Sequence, residues 1–255
     1  MTPDTEHTVA AIIPAAGEGT RLTAQDGTGD APRKQFRQLG GKPLVVRTLE
    51  RVLAARPLAA AVVVVPADDL ASAQEMLKDS ASAEVALSVV PGGASRQASV
   101  AAGLAALPSG VDVVVVHDAV RPLFEPGWIG AIVDLCREFD GAIVAIRATD
   151  TLKETRAVTT GPAKPAGVIS RTIPRADIWQ AQTPQAFKTD LLREALRRAG
   201  ETGSLGTDEA SLVEALGGMV AIVEGSPVNI KVTSPADWAY AEWQLARAEG
   251  AGQDG

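Results

Sequence analysis

Arg21, Arg96, Arg121 and Lys231 each interrupt a stretch of chain that is otherwise apolar or rich in glycine, and Lys34 stands in Arg33-Lys34-Gln35-Phe36. The chain as a whole is acidic, with a formal net charge of −7. That balance argues against a general nucleic-acid binder, which carries a basic surface. An acidic protein that handles anions must gather its cations locally, so these interruptions mark where chemistry on a phosphate could occur. The first follows the apolar run Val9–Ile13, which breaks at Pro14 into Ala15-Ala16-Gly17-Glu18-Gly19-Thr20-Arg21. Small residues let backbone N–H groups approach a phosphate chain, and Arg21 adds a fixed positive charge. A strand emptying into such a loop suggests a nucleotide site at the carboxyl edge of a sheet. An ordinary strand–turn–helix connection is the competing reading. The loop lacks the third glycine of a dinucleotide fingerprint and the Gly-Lys-Ser/Thr of a Walker A loop. Lys34 lies beyond a polar segment, 24–33, that reads as a mobile loop. Arg21 and Lys34 flank this loop and could close over a triphosphate, or stand as solvated surface charges.

Three further segments carry similar signals. Pro91-Gly92-Gly93-Ala94-Ser95-Arg96-Gln97-Ala98-Ser99 follows a strand and opens a helix, with Ser95 as the expected N-cap. A helix start offers free N–H groups, and Arg96 and Ser99 could point at a nucleotide. Val113–Val116 ends in His117-Asp118, with Arg121 three residues on. An acid at the carboxyl end of a buried strand is where doubly wound folds place substrate groups. His7 is the only other histidine, so a multi-histidine centre is excluded, and His117 reads better as structural than as catalytic. Lys231 sits in a strand-like apolar run, Val228–Val232, just before Ser234-Pro235 opens the last helix. A lysine so embedded is unfavourable unless an anion meets it.

The elements that must position these groups follow from hydrophobic periodicity. Short apolar runs at 9–13, 61–65, 85–90, 111–116, 142–146 and 220–223 read as strands, several of them continuous valine and isoleucine. Helical spacing occupies 44–53, 70–77, 97–107, 128–139, 191–199, 209–216 and 236–248. The alternation predicts an α/β fold: a Rossmann-like, mostly parallel twisted sheet flanked by helices. The regular pattern lapses between Arg147 and Thr183, where two polar-alternating segments predict a protruding β-arm, 148–183. The expected organisation is one domain over 8–248, with loose tails at 1–7 and 249–255. Hydrophobic residues make up 46% of the 255-residue chain, yet no apolar run reaches the length of a membrane span, and residues 1–8 do not resemble a secretory signal. Cys136 is the only cysteine, which excludes an intrachain disulfide, suits a reducing cytoplasm and predicts a packing role.

Taken in order, these segments resemble the 2-C-methyl-D-erythritol 4-phosphate cytidylyltransferase family of the non-mevalonate isoprenoid pathway. The resemblance runs from Val9 to Glu242. Besides the loops above it rests on Lys34-Gln35-Phe36, Asp150-Thr151-Leu152-Lys153, Arg175 with Trp179, Thr183-Pro184-Gln185, Thr207-Asp208-Glu209-Ala210 and Asn229-Ile230-Lys231-Val232-Thr233. It implies transfer of a cytidylyl group from CTP to a polyol phosphate, with pyrophosphate released. It implies that Arg21 and Lys34 stabilise charge on the α-phosphate and that Arg175 and Lys231 position the methylerythritol phosphate. Ala15, Ala16, Gly17, Gly93 and Ser99 would line the nucleotide, with Arg96 nearby; Asp118, Arg121, Thr151 and Thr183 would hold the polyol. Mg²⁺ would ride mainly on the triphosphate, with its protein ligands unassigned. The arm would cross to a second subunit of a cytoplasmic homodimer, so that Thr151 and Arg175 serve the partner's site. Two positions depart from the family pattern: Arg33 stands where a proline is usual, with Pro32 one place early, and Ala94 replaces a frequent acid. A ribitol 5-phosphate cytidylyltransferase, a sugar 1-phosphate nucleotidyltransferase and a nucleotide-binding regulatory protein are the rival readings.

Overall fold

The computed structural model describes residues 7–17, 32–80, 84–156 and 167–251. Its centre is a seven-stranded sheet. In chain order the strands are β1 (Val9–Pro14), β4 (Ala60–Val65), β5 (Ala86–Pro91), β6 (Val113–Val116), β7 (Gly141–Arg147), β10 (Trp179–Lys188) and β11 (Val220–Glu224). Two short strands, β2 (Gln38–Leu39) and β3 (Lys42–Pro43), form a separate pair, as do β8 (Leu152–Arg156) and β9 (Val168–Ile173). The spatial order of the large sheet is β11-β7-β10-β6-β1-β4-β5. All its pairings are parallel except the two that β10 makes, with β6 and with β7.

The continuous valine runs become strands because both faces are covered. Side chains alternate across the sheet. Ala11, Ile13, Val63, Val65, Val113 and Val115 therefore join one apolar cluster, with the helix α1 (Leu44–Leu53) and the helix α4 (Gly127–Leu135). Ile12, Val62, Val64, Val114 and Val116 join another, against α3 (Arg96–Ala105) and α5 (Thr189–Thr202). The helix α2 (Leu70–Leu77) packs beside β5, α6 (Glu209–Glu214) precedes β11, and α7 (Pro235–Ala251) closes the chain. Cys136 ends α4 fully buried, where desolvation raises its thiol to about 12, in line with packing. Among the described residues no helix is long and apolar enough to cross a membrane.

Three expectations need correction. The arm ends earlier than 183: its two strands run from 152 to 173, and Trp179 already pairs with Arg147 in the central sheet. β10 escapes a periodicity reading because its sequence, WQAQTPQAFK, mixes glutamines, threonine and proline with few branched apolar residues. Its Gln182, Thr183 and Gln185 are nonetheless buried. Second, Lys231 is not in a strand; it lies in an irregular extended segment joined to the core by Val232 N–H donating to Val120 O at 2.9 Å. Third, helix α7 continues through 251, past the point where a tail was expected.

Candidate active site

The cleft lies at the carboxyl edge of the parallel strands, where β1, β5 and β6 hand over to loops. Beyond Pro14 the chain turns through Ala15, Ala16 and Gly17. Ala15 N–H donates to Val64 O at 2.7 Å, and the buried Gln35 amide donates to Ala15 O at 2.7 Å and to Gly17 O at 3.1 Å. Gln35 thus fixes the loop that small residues leave open. The facing loop is Gly92-Gly93. A Cβ at Gly92 would stand 2.5 Å from Ala16 Cβ and 2.7 Å from Ser99 Oγ, so only glycine lets the two loops meet. Ser95 caps α3 as expected, its Oγ accepting from Ala98 N–H at 3.0 Å. The Ser99 hydroxyl donates to Ser95 O at 2.9 Å and accepts from Gly93 N–H at 3.3 Å, which ties the glycine turn to the helix. Between the loops is a cavity of about 520 Å³, whose walls include Ala15, Ala16, Gly17, Gly93, Lys34 and Lys231. Lys34 opens a single helical turn and its Nζ donates to Val232 O at 3.1 Å.

A second cavity of about 240 Å³ adjoins the first, and Arg96, Asp118 and Lys231 line both. The smaller cavity adds Arg121, Gln182, Thr183, Gln185 and Asp208. Asp118 is the hub. Its carboxylate meets Lys231 Nζ at 2.9 Å, Arg96 Nε at 3.1 Å and, more loosely, Arg121 Nε at 3.7 Å. Burial pushes the Asp118 carboxyl up, but Arg96, Lys231 and Arg121 outweigh it and hold the group well below the usual carboxylate range. Arg96 is shared: its second carboxylate is that of Glu209, 2.6 Å away and 1% exposed. Burial disfavours the charged Arg96, yet Asp118 and Glu209 reverse that and raise its pKa. Burial raises Glu209 in turn, with Arg96 pulling against it. Arg96, Arg121 and Lys231 thus gather around Asp118, with Glu209 behind Arg96 and Asp208 on the smaller cavity as the further acids of this wall.

Behind the wall, the backbone of the 229–234 segment is pinned from several sides. Asn229 Nδ2 donates to Thr183 O at 2.9 Å, Arg121 donates to Asn229 O at 2.7 Å, and Asp237 accepts from the N–H groups of Thr233 and Ser234 at 2.9 and 2.8 Å. His117 is fully buried. Its ring contacts Phe124 at 4.3 Å between centroids, its Nε2 lies 3.0 Å from Arg121 O and its Nδ1 3.1 Å from Thr183 Oγ1. Burial lowers its pKa to about 4 and outweighs the Arg121 carbonyl and Asp118, which favour the charged ring, so the ring is neutral at physiological pH. This agrees with a structural role.

Of the residues singled out from the sequence, Ala15, Ala16, Gly17, Lys34, Gly93, Arg96, Ser99, Asp118, Arg121, Thr183 and Lys231 all line one cavity or both. Arg21 lies outside the described residues. Thr151 and Arg175 line neither cavity; both are exposed at the root of the arm, where Arg175 donates to Thr149 O. At the first departure from the family pattern, Arg33 pairs with Asp69 and lines neither cavity. Gln35, Gln182, Gln185, Asp208, Glu209 and Asn229 carry structural weight that the sequence reading did not assign to them. An acid directly after a capping Asp208, and an asparagine inside an apolar run, were the available signals. Among the described residues no cluster of three or more His, Cys, Asp or Glu could hold a metal ion.

A mostly parallel sheet carrying a divided, cation-walled cleft at its carboxyl edge is an α/β fold with its ligand site where such sheets place them, and its relatives make it a nucleotidyltransferase. The chain belongs to the 2-C-methyl-D-erythritol 4-phosphate cytidylyltransferase family, whose profile matches residues 9–247. A relative of that name from Acidobacterium capsulatum is 41% identical over 238 residues, covering 93% of this chain and 97% of the relative. Another, from Streptomyces avermitilis, is 41% identical over 241 residues, with 93% and 92% covered. Among solved structures, the 2-C-methyl-D-erythritol 4-phosphate cytidylyltransferase of Thermus thermophilus matches with a TM-score of 0.69 at 32% identity, covering 95% of this chain and all of that one (100%). The 4-diphosphocytidyl-2C-methyl-D-erythritol synthase of Anaerococcus prevotii gives 0.77 at 25% identity, covering 94% and 99%.

Proposed function

We infer that this chain transfers the cytidylyl group of CTP to 2-C-methyl-D-erythritol 4-phosphate, forming 4-diphosphocytidyl-2-C-methyl-D-erythritol and pyrophosphate for isoprenoid precursor synthesis. The observation that carries this reading is the wall shared by the two cavities. A nucleotide in the larger cavity and a polyol phosphate in the smaller one would present their phosphates to the same Arg96, Asp118 and Lys231. In the reaction an oxygen of the polyol phosphate bonds to the α-phosphorus, and the bond from that phosphorus to the bridging oxygen of the β-phosphate breaks. A phosphate monoester has a second pKa of about 6, so the attacking oxygen is already largely ionised and needs no general base. What remains is alignment of two anions and stabilisation of charge at the α-phosphorus. Lys34 and Lys231 line the larger cavity and are the described lysines placed to do this, with Arg21 assigned to the same task by its position in the family motif.

Mg²⁺ fits as a partner of the triphosphate. Asp118 is the carboxylate lining both cavities, and most of its ligand capacity is already taken by cations, which leaves the ion to phosphate and water. When bound, Mg²⁺ supplies neutralisation of triphosphate charge. The working form is a cytoplasmic homodimer with exchanged arms. Val168 and Ile169 on the arm are 40% and 59% exposed, and Thr151 and Arg175 stand outside their own chain's cavities, which supports a role in a partner's site.

The test is pyrophosphate release with CTP, Mg²⁺ and each candidate acceptor. Turnover is expected with 2-C-methyl-D-erythritol 4-phosphate. Preference for ribitol 5-phosphate would move the chain to that acceptor, and tight CTP binding without turnover on any polyol phosphate would make it a nucleotide-binding regulator.

A further inference from the structure

The partners of His117 fix which of its nitrogens carries the proton. Nε2 faces the Arg121 carbonyl, which can only accept, so Nε2 is the protonated atom and donates at 3.0 Å. The opposite tautomer would set two acceptors against each other. Nδ1 therefore holds a lone pair, and the partner it meets at 3.1 Å is the Thr183 hydroxyl, which must donate to it. A hydroxyl has one proton and two lone pairs. The proton of Thr183 is committed to His117, and one lone pair accepts from Asp118 N–H at 3.1 Å. One lone pair is left, on a residue that lines the smaller cavity.

We propose that His117 is a positioning residue that sets the hydrogen-bond polarity of the smaller cavity: by taking the Thr183 proton it makes Thr183 an acceptor, which selects a substrate hydroxyl at that wall and refuses a phosphate oxygen. The inference rests on the polyol phosphate reading for its substrate. It explains a division of labour. The cations Arg96 and Lys231, on the wall shared by both cavities, take the phosphate, while the Thr183 hydroxyl beside them is turned so that it cannot compete for it. A protonated ring would reverse the arrangement, since Nδ1–H would donate to Thr183 and free its proton for the cavity. Burial of the ring opposes that state, as do the Arg121 and Arg96 guanidiniums, while the hydrogen bond to the Arg121 carbonyl and the Asp118 carboxylate favour it.

The experiment has two arms. Histidine-selective ¹⁵N NMR of the ligand-free protein reads the tautomer directly, and assignment is simple because His7 is the only other histidine. A neutral Nε2–H ring for His117 at pH 7 is expected; an Nδ1–H or doubly protonated ring overturns the proposal. The second arm is steady-state kinetics. His117→Phe removes the acceptor and is expected to raise KM for the polyol phosphate about three- to tenfold, the scale of one net hydrogen bond, with KM for CTP within about twofold. His117→Asn, whose Oδ1 can stand where Nδ1 stood, is expected to recover most of the loss. The double variant His117→Phe with Thr183→Val is expected to be no worse than Thr183→Val alone. Equal rises in both KM values, or full additivity in the double variant, would overturn the proposal. If the wild type turns over no polyol phosphate, the function assigned above fails, and the NMR tautomer alone then decides the hydroxyl's polarity.

Discussion

Lys34→Ala and Arg21→Ala are each expected to lower kcat by about 10²–10³, the scale of one preorganised charge-stabilising contact. CTP affinity should fall far less, because the charge these groups meet develops in the transition state. Single-turnover rates beside equilibrium CTP titration separate the two; a raised KM for CTP with kcat unchanged would make them nucleotide holders only. His117 offers a second residue-level test, in stability. Its folded pKa of about 4 lies below the ordinary value of 6.5, so the unfolded chain binds more protons between those limits. Stability is then fully present above pH 6.5 and falls as the pH drops toward 4, by up to roughly 3 kcal/mol. Urea unfolding of wild type and His117→Asn across this window should show a steeper loss in the wild type, and parallel losses would remove His117 as the cause. Much of the site was legible at this scale. Ser95, the Ala15-Ala16-Gly17 turn, Asp118 and Lys231 announce themselves through residue type beside a strand or helix end. Glu209 and Gln35 did not, because they act at a distance: Glu209 meets Arg96 across 113 positions, and Gln35 meets Ala15 across 20.

Helix α3 carries one wall of the cleft and must lie close to the sheet to do so. A Cβ on Gly103 would stand 2.6 Å from Ile12 Cγ2 and 3.0 Å from Val64 Cγ2. Gly103→Ala should therefore destabilise by about 1–3 kcal/mol through overpacking. In α5, a Cβ on Gly200 meets nothing within 4 Å, so Gly200→Ala should stabilise by about 0.5–1 kcal/mol through helix propensity. Thermal unfolding of both variants checks the contrast; equal effects would mean that α3 can shift off the sheet. The elements themselves were largely readable. Val113–Val116 and Ala60–Val65 are runs that only a doubly covered sheet can bury, and Leu44–Leu53 and Leu70–Leu77 match their predicted bounds. β10 was not readable. Its polar side chains are buried because Gln182, Gln185 and Thr183 find partners such as Ser226 O, Asp208 and His117, and periodicity cannot anticipate satisfied polar groups.

For the whole molecule the decisive question is whether one chain makes a complete site. Arg175 sits by the arm and Lys231 in the cleft, so inactive Arg175→Ala and inactive Lys231→Ala subunits, mixed under conditions that allow exchange, should recover activity in heterodimers with one intact site. No recovery would mean that both residues serve the same chain, and the exchanged-arm dimer would fall. The sheet order carries a different consequence, for the growing chain on the ribosome. β6 ends at Val116, yet one of its two neighbours is β10, which is not finished until Lys188. At about 5–20 residues per second the intervening stretch takes roughly 4–14 s to synthesise. Throughout that time the four valines of β6 border an open strand edge at what will become the middle of the sheet, and such an edge invites pairing with other chains. The strand that completes the smaller cavity is therefore also the one that closes this edge of β6, and translation pauses placed between codons 116 and 188 would lengthen its exposure.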